Sequence, residues 1–566
     1  MELLMKNIHM CHQAKHAVSQ MTLDEDLNVP DVKPDVGMII QSRGHLLLEH
    51  TRAESGKLFA DGFLETGILY MDDTKERQLC RLDVKLPFEE VIAVDDLEPG
   101  ESVRLRHETE DLNVSLINSR KLSIRALIRF EVSSEEIYDL SAAAGVRQDD
   151  SAGGSAKDSP DFCEKKETLE FLQLEVQKKD ILRLKEDISL SAGKPNIREV
   201  LWEDIQMRGC RTHLEEGRLL VRGSLFVFVL YQAEDEKESL QWMEQTVPLE
   251  GTLACDGCTA GLIQDIGVTL SEADLTVKED LDGEMRIFHL EGILDLNISL
   301  YGTDTAELLA DVFSPEKDLE LVTADETYET LVVRNESKCR VQGKLKIQGA
   351  NPRIIQICHC SGSVQIDKTE MVEDGLRTEG VLTVSILYIS SDDSMPFAVL
   401  EGAIPFAHTA EAQGIRLSAA SEKNQYTLTP ALEQLSAAMS DGEQIEIRAT
   451  IGLDLFVTRI GQRRCIQEIR EKDIDPERIW ALPGITAYLV QEGDTLWEIA
   501  KEYFLTPRQI IEANGLSSEQ VKKGDCLILM KNGKAFPGAA RFRRPDAAAD
   551  SGRGGQNLSI RQKTDP

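Results

Sequence analysis

The sequence predicts a mainly β protein in which three tandem, β-sandwich-like repeat domains precede a small C-terminal βααβ domain. Three observations support this prediction. A nine-residue motif occurs three times, long segments alternate apolar and polar residues, and helix-capping residues appear near position 495. At 566 residues the chain is too long for one hydrophobic core, so several domains are expected.

The recurring motif reads G-x-L-x-x-x-[IV]-L-Y and occurs as GFLETGILY, GSLFVFVLY and GVLTVSILY, ending at Tyr70, Tyr231 and Tyr388. Each tyrosine follows one proline by 36 positions and precedes another by 17 positions. The period is near 160 residues, far above the roughly 20–50 residues of solenoid repeats, so each copy can form a domain. We therefore expect the three tyrosines to occupy equivalent sites. The prolines that precede the tyrosines are Pro34, Pro195 and Pro352, and those that follow them are Pro87, Pro248 and Pro405.

The segments around the motif have the pattern of half-buried strands. In IEIRATIGLDLFV, from Ile445, every second residue is apolar, which is the period of a β-strand. The glycine that opens each motif predicts a turn or bulge, and the proline that follows it fits a strand edge. One stretch, LTPALEQLSAAM from Leu428 to Met439, is predicted to be helical.

Composition shifts divide the chain. The segment RQDDSAGGSAKDSPD is rich in Gly, Ser and Asp and predicts a flexible linker. The end of the chain is rich in Ala, Gly, Pro and Arg, which predicts a disordered, basic and solvated tail. The predicted units are repeats at 1–145, 166–315 and 316–475, a linker at 146–165, the βααβ domain at 485–531 and the tail at 532–566.

Charge and cysteine content restrict the location and the partners. The net charge of −36 disfavours binding to nucleic acid or to anionic membranes. No signal peptide and no transmembrane segment is recognisable, so a cytoplasmic protein is expected. The eleven cysteines do not suggest a secreted disulfide framework. Cys255 and Cys258, like Cys358 and Cys360, are interpreted as reduced cysteines and not as a metal site, because zinc needs about four ligands.

The C-terminal domain begins with a predicted strand, Thr486 to Gln491. Gly493 and Asp494 follow as a turn. Thr495 opens a T-x-x-E capping box, which predicts a helix from Leu496.

A second helix and a second strand complete the unit. Thr506 is a predicted N-cap, and Pro507 fits the first helical position. Asn514 and Gly515 supply residues that end a helix in the left-handed conformation. The closing strand runs from Gly524 to Met530.

These residues resemble the LysM family, whose pattern appears here as YLVQEGDTLWEIA, then NGL and GDCLI, from Ile485 to Lys531. The resemblance implies a shallow groove between two loops, Glu492 to Leu496 and Asn514 to Ser518, that binds N-acetylglucosamine in peptidoglycan or chitin. Turn and cap roles explain Gly493, Asp494 and Thr495 equally well. The candidate groove residues are Glu492, Gly493, Asp494, Thr495, Leu496, Trp497, Asn514, Gly515 and Leu516.

The three repeats resemble the SPOCS domain, which recurs in tandem in sporulation and coat proteins of clostridia. Three such domains followed by one LysM domain resemble a clostridial spore coat morphogenetic family. The resemblance implies a place in the mother-cell cytoplasm, at the forespore surface. It also implies that the LysM domain binds the coat ATPase SpoIVA in place of a sugar, with other coat proteins as further partners.

Three functions compete. The leading hypothesis is a non-catalytic scaffold of the spore coat or envelope, because the chain has no phosphate-loop, H-E-x-x-H or G-x-S-x-G motif. No enzymatic activity and no cofactor are then expected. The alternative is a cell-wall or cortex protein that binds N-acetylglucosamine polymers of peptidoglycan, which requires export. A wall hydrolase with an appended LysM domain lacks a recognisable catalytic domain.

Overall fold

The fold of the repeats is built from six long strands per copy. The computed structural model describes residues 2–75, 77–101, 103–147, 162–234, 240–347, 352–392, 394–415, 423–441, 443–475, 477, 482–530 and 559–561. In the first repeat the sheets have the strand orders β1-β6-β5 and β2-β3-β4, and all neighbours are antiparallel. The strands are β1 (Glu2–Asn28), β2 (Val36–Glu54), β3 (Lys57–Asp72), β4 (Leu79–Ala93), β5 (Val103–Asn118) and β6 (Lys121–Arg147).

The second and third repeats have the same topology. Their sheets have the orders β7-β12-β11 and β8-β9-β10, then β13-β18-β17 and β14-β15-β16. The prediction of three tandem, mainly β repeat domains is thus confirmed. The strands are β7 (Cys163–Ser189), β8 (Ile197–Glu215), β9 (Arg218–Ala233), β10 (Leu240–Ala254), β11 (Ile263–Glu279), β12 (Met285–Phe313), β13 (Lys317–Lys346), β14 (Ile354–Val372), β15 (Gly375–Ser390), β16 (Phe397–Glu411), β17 (Lys423–Asp441) and β18 (Gln444–Asp473).

In each repeat, apolar side chains of the two sheets pack against each other. In the first repeat, apolar residues of β3, such as Leu64 and Ile68, share a buried cluster with Leu122 and Ile124 of β6. The alternation predicted from Ile445 is observed on β18, where every second side chain is buried. Burial of these side chains removes apolar surface from water and is the main force that holds the sheets together.

The three motif tyrosines occupy equivalent sites, as predicted. Each lies on the central strand of its sheet and is fully buried. Each phenol donates a hydrogen bond to the carbonyl oxygen of the proline 36 positions earlier, which lies two residues before the second strand of its repeat. The pairs are Tyr70 to Pro34 at 3.2 Å, Tyr231 to Pro195 at 3.3 Å and Tyr388 to Pro352 at 3.3 Å.

The glycine that opens the motif faces a β-bulge. A Cβ atom on Gly62 would lie 2.0 Å from the carbonyl oxygen of Leu47, and one on Gly380 would lie 2.3 Å from that of Gln365. The neighbouring strands are irregular at these points, at Leu48 and at Ile366. Glycine is therefore required for close backbone approach. The later prolines lie on the edge strands β4, β10 and β16, where a missing N–H is tolerated.

The helix predicted from Leu428 to Met439 is wrong, because this stretch lies within the edge strand β17. The ladder to β18 is irregular between Leu432 and Gln434. This bulge places Leu435 on the same side as Leu428 and Leu432, and all three pack on the core of the third repeat. The spacing of four and then three residues therefore imitates a helix although the backbone is extended.

The expectation that Cys255 and Cys258 are reduced is also wrong, because they form a disulfide. The turn after β10 brings their Cα atoms to 5.5 Å, within disulfide range. In the corresponding turn of the first repeat, the buried residues Val94 and Leu97 take the places of the two cysteines. They form the same backbone hydrogen bonds to a glycine as the cysteines do. The disulfide thus replaces an apolar contact. Cys358 and Cys360 are free thiols.

Part of the predicted linker and tail lies outside the described residues. Residues 146–147 belong to β6 and residues 163–165 to β7, whereas residues 148–161 are not described. Most of the predicted tail, 532–558 and 562–566, is likewise not described. No helix in the described part of the chain has the length and apolar character needed to cross a bilayer.

The three repeats surround a common axis, and each contacts both others. Near this axis, residues that hold the same position in each repeat pack against one another. One buried cluster contains the leucine that precedes each motif tyrosine, namely Leu69, Leu230 and Leu387. A second cluster joins Met10, Phe171 and Tyr328, which hold equivalent places on β1, β7 and β13.

A polar cluster lies beside the first of these apolar clusters. The carboxylate of Asp204, on β8, is 2% exposed and forms a salt bridge with the guanidinium of Arg43, on β2. Its second oxygen is 2.8 Å from Nε2 of His359, on β14. Because the three residues come from three repeats, this polar cluster connects the repeats.

Candidate functional site

The C-terminal module has the predicted βααβ order. It comprises β19 (Ile485–Leu489), α1 (Leu496–Glu502), α2 (Pro507–Asn514) and β20 (Cys526–Met530). β19 and β20 are antiparallel, and the short strand β21 (Ser559–Arg561) pairs with β19 in parallel. Apolar residues of both helices and both strands form one buried core.

The first groove loop is held by its own side chains. Gly493 has φ of +94°, which favours glycine. Asp494 accepts hydrogen bonds from the Gln491 N–H at 2.8 Å and from the Tyr488 hydroxyl at 2.7 Å. Thr495 caps α1 by accepting the Glu498 N–H at 3.2 Å. The side chains of Asp494 and Thr495 therefore stabilise the turn and the helix start.

The second groove loop follows α2. That helix begins with a complete capping box between Thr506 and Gln509. The amide of Asn514 binds the carbonyl oxygens of Ile510 and Ile528, both at 2.9 Å, and so ties the helix to β20. Gly515 is left-handed, with φ of +61°, and ends the helix. Asn514 and Gly515 therefore also serve the module's own fold.

Exposure separates the nine candidate residues into three groups. Leu496 is buried in the core of the module and supports the loops from below. A half-exposed group consists of Asp494, Trp497, Asn514 and Leu516. The exposed group, which can contact a ligand directly, is Glu492, Gly493, Thr495 and Gly515.

The groove rim carries a charge pair that the sequence pattern did not reveal. Nζ of Lys523 lies 2.7 Å from Oε2 of Glu492, and both side chains are exposed. Exposed backbone at Gly493 and Gly515 lies in the two loops. Such a surface can bind the amides and small apolar groups of either an acetamido sugar or a protein loop.

Trp497 contacts another domain. Its Nε1 donates to Oδ2 of Asp311 at 2.8 Å, and its ring meets the ring of Phe313 edge to face at 4.8 Å between centroids. Lys501, one turn later on α1, binds the same carboxylate at 2.8 Å. Asp311 and Phe313 lie at the end of β12, so the module docks on the second repeat. No local pattern could pair Trp497 with a residue 186 positions away.

Replacing Trp497 by Ala should weaken this docking. Because the ring is only half-buried, we expect a loss below the roughly 3–5 kcal/mol of a fully buried aromatic ring. Asp311→Asn should act in the same direction, because Lys501 then loses its ionic partner. Thermal unfolding and limited proteolysis between the third repeat and β19 measure the effect.

The matched control is Arg508→Ala on the exposed side of α2, where the pair with Glu512 contributes little. Equal melting temperatures and equal proteolysis for Trp497→Ala, Asp311→Asn and the control would contradict the docking role.

Comparison with known families assigns both kinds of domain. The SipL, SPOCS domain family matches residues 35–117, 196–278 and 353–440, and the LysM domain family matches residues 488–529. Each SPOCS match runs from the second strand of a repeat to the fifth, while the paired first and last strands lie outside it. No curated protein and no solved structure matches the chain. With three SPOCS domains followed by one LysM domain, the chain belongs to the SipL family of sporulation coat proteins.

Proposed function

We propose that the protein is a non-catalytic scaffold of the spore coat that binds a SpoIVA-like coat ATPase through its LysM groove. It acts in the mother-cell cytoplasm at the forespore surface and connects the ATPase to other coat proteins. The observation that supports this most directly is the docking of Trp497 and Lys501 on Asp311. The contact fixes the module to the repeats, so that a ligand held in its groove is linked mechanically to the whole repeat assembly.

The chemistry of the groove supports a protein ligand. A neutral sugar is recognised by oriented polar side chains. Here the side chains of Asp494, Thr495 and Asn514 already bond within the module. What faces outward is backbone and the pair of Glu492 and Lys523. A protein loop with its own charges can replace that pair, whereas a neutral N-acetylglucosamine unit cannot.

The LysM fold itself favours a second candidate, binding of N-acetylglucosamine polymers in peptidoglycan. The two functions differ in ligand, so one titration distinguishes them. The full chain is titrated against a SpoIVA-like protein and, separately, against N-acetylglucosamine oligomers. We expect the protein to bind and the sugar to bind only above millimolar concentration.

Blocking variants locate the contact. Glu492→Arg and Ser517→Arg place bulky cations on the two exposed loops, and each should weaken protein binding roughly tenfold or more, equal to about 1.4 kcal/mol. Glu170→Arg makes the same charge change as Glu492→Arg, but on the exposed side of β7, and should leave binding unchanged. Sub-millimolar sugar affinity without protein binding would reject the scaffold and favour the cell-wall function.

A further inference from the structure

A cavity of about 610 Å³ lies between the three repeats, apart from the LysM groove. Its walls come from β1, β5 and β6 of the first repeat, β11 and β12 of the second, and β13, β14, β17 and β18 of the third. The volume lies within the range of about 300–1,000 Å³ that is usual for small-molecule sites.

One wall presents an arginine without an ionic partner. Arg106, on β5, is half-buried, and no carboxylate of the described residues lies within salt-bridge distance of its guanidinium. Burial lowers its pKa. Nη1 of its neighbour Arg104 lies 3.7 Å from Asp265. A partly desolvated guanidinium without a direct salt bridge is costly, although Glu131 and Asp265 act on it from farther away. Its planar fork fits a carboxylate or a phosphate.

Another part of the lining presents a carboxyl group with an unused acceptor. Glu329, on β13, is 5% exposed, and its Oε1 has no hydrogen-bond partner among the described residues. Such an orphaned atom is rare in a buried position and marks a place for a polar ligand group. A hydroxyl group that enters the cavity can donate to it.

Aromatic and hydroxyl groups complete the lining. The rings of Tyr301 and Phe456 stack at 5.6 Å between centroids. The hydroxyl groups of Thr369 and Tyr426 lie 2.5 Å apart at the exposed side. All four residues line the cavity. Aromatic faces beside several hydroxyl groups suit a ring that is apolar on its faces and polar around its edge.

We propose that this cavity binds an anionic sugar unit. The carboxylate or phosphate of the sugar pairs with Arg106, a ring hydroxyl donates to Oε1 of Glu329, and the ring lies against Tyr301 and Phe456. The site uses residues of all three repeats, so it exists only in the assembled protein. It is independent of the LysM groove and of the function proposed for that groove.

Calorimetric titration of the full chain tests the site with four probes: glucuronate, glucose 6-phosphate, glucose and inorganic phosphate. We expect at least one anionic sugar to bind roughly tenfold or more tightly than both glucose and inorganic phosphate. Equal binding of inorganic phosphate would show a simple anion site and overturn the sugar assignment. Absence of binding by all four probes below about 10 mM would overturn the site itself.

Variants decide whether the geometry is correct. Arg106→Gln should weaken binding of the anionic sugar roughly tenfold, and Arg106→Lys should retain part of the affinity. Arg125→Gln is the matched control, because Arg125 is exposed on β6 and pairs with Asp24 outside the cavity. Glu492→Arg in the LysM groove should have no effect on this ligand. Unchanged affinity in a folded Arg106→Gln or Glu329→Leu protein would reject the proposal, because leucine has no atom that can accept the hydroxyl hydrogen.

Discussion

Replacing Asp204 by Ala should lower the free energy of unfolding by about 1–3 kcal/mol, because it leaves the buried ring of His359 without the hydrogen-bond partner of its Nε2 atom. The carboxylate is 2% exposed and binds Arg43 and His359, which come from the other two repeats. His359 is 1% exposed and has no access to water as a substitute partner. We expect the three repeats to unfold less cooperatively. The single calorimetric transition should then broaden, or divide into several transitions at lower temperature.

The control for this prediction is Asp24→Ala. Asp24 also pairs with an arginine, Arg125, but both side chains are exposed, so the expected loss is below about 1 kcal/mol. Calorimetry and urea unfolding of the two variants give the comparison. Similar small losses in both would show that the polar cluster does not couple the repeats.

Replacing Glu329 by Gln should stabilise the protein at pH 8 by about 3 kcal/mol and have little effect near pH 4. Burial raises the pKa of this carboxyl from 4.5 to about 7. At pH 4 the native and the unfolded chain both hold the proton. Between pH 4.5 and 7 the unfolded chain releases it first, so the native state loses stability as the pH rises, and the loss is complete above pH 7. The neutral amide removes that loss.

The matched control is Glu320→Gln, also on β13. Lys472, at 2.7 Å, lowers the pKa of this exposed carboxyl, so its native form is stabilised as the anion. Its replacement should therefore not raise stability at pH 8. Unfolding curves of both variants from pH 4 to pH 8 give the sign of each effect. A pH-independent difference for Glu329→Gln would mean that Glu329 ionises normally in the folded protein.

Local patterns predicted those parts of the fold that depend on neighbours in sequence. The Pro–Tyr–Pro spacing predicted the equivalent sites of Tyr70, Tyr231 and Tyr388, because that spacing is set within one repeat. The cap residues Thr495 and Thr506 predicted both helix starts, since a cap acts over three or four residues. The stretch from Leu428 failed because a single bulge shifts the side-chain alternation, and no residue type marks that bulge.

Contacts between domains could not be predicted in this way. The bond from Trp497 to Asp311 spans 186 positions, and neither residue is part of a pattern that names the other. The sequence did hold a weak signal for the polar cluster of Arg43, Asp204 and His359. Arg43 and Asp204 precede their motif tyrosines by the same number of residues, so they occupy equivalent places with opposite charge. An alignment of the three repeats, with the charges compared at each position, would have suggested that Arg43 and Asp204 contact each other.

The pairing of the first and last strands has a consequence for copy number. Glu2 lies opposite Arg147, Cys163 opposite Phe313 and Lys317 opposite Asp473, so the chain enters and leaves every repeat at the same point. A unit of this kind can be duplicated in tandem without any long return segment. The third copy, however, already contacts the first. A fourth copy inserted between them would have to break the contacts between the third repeat and the first.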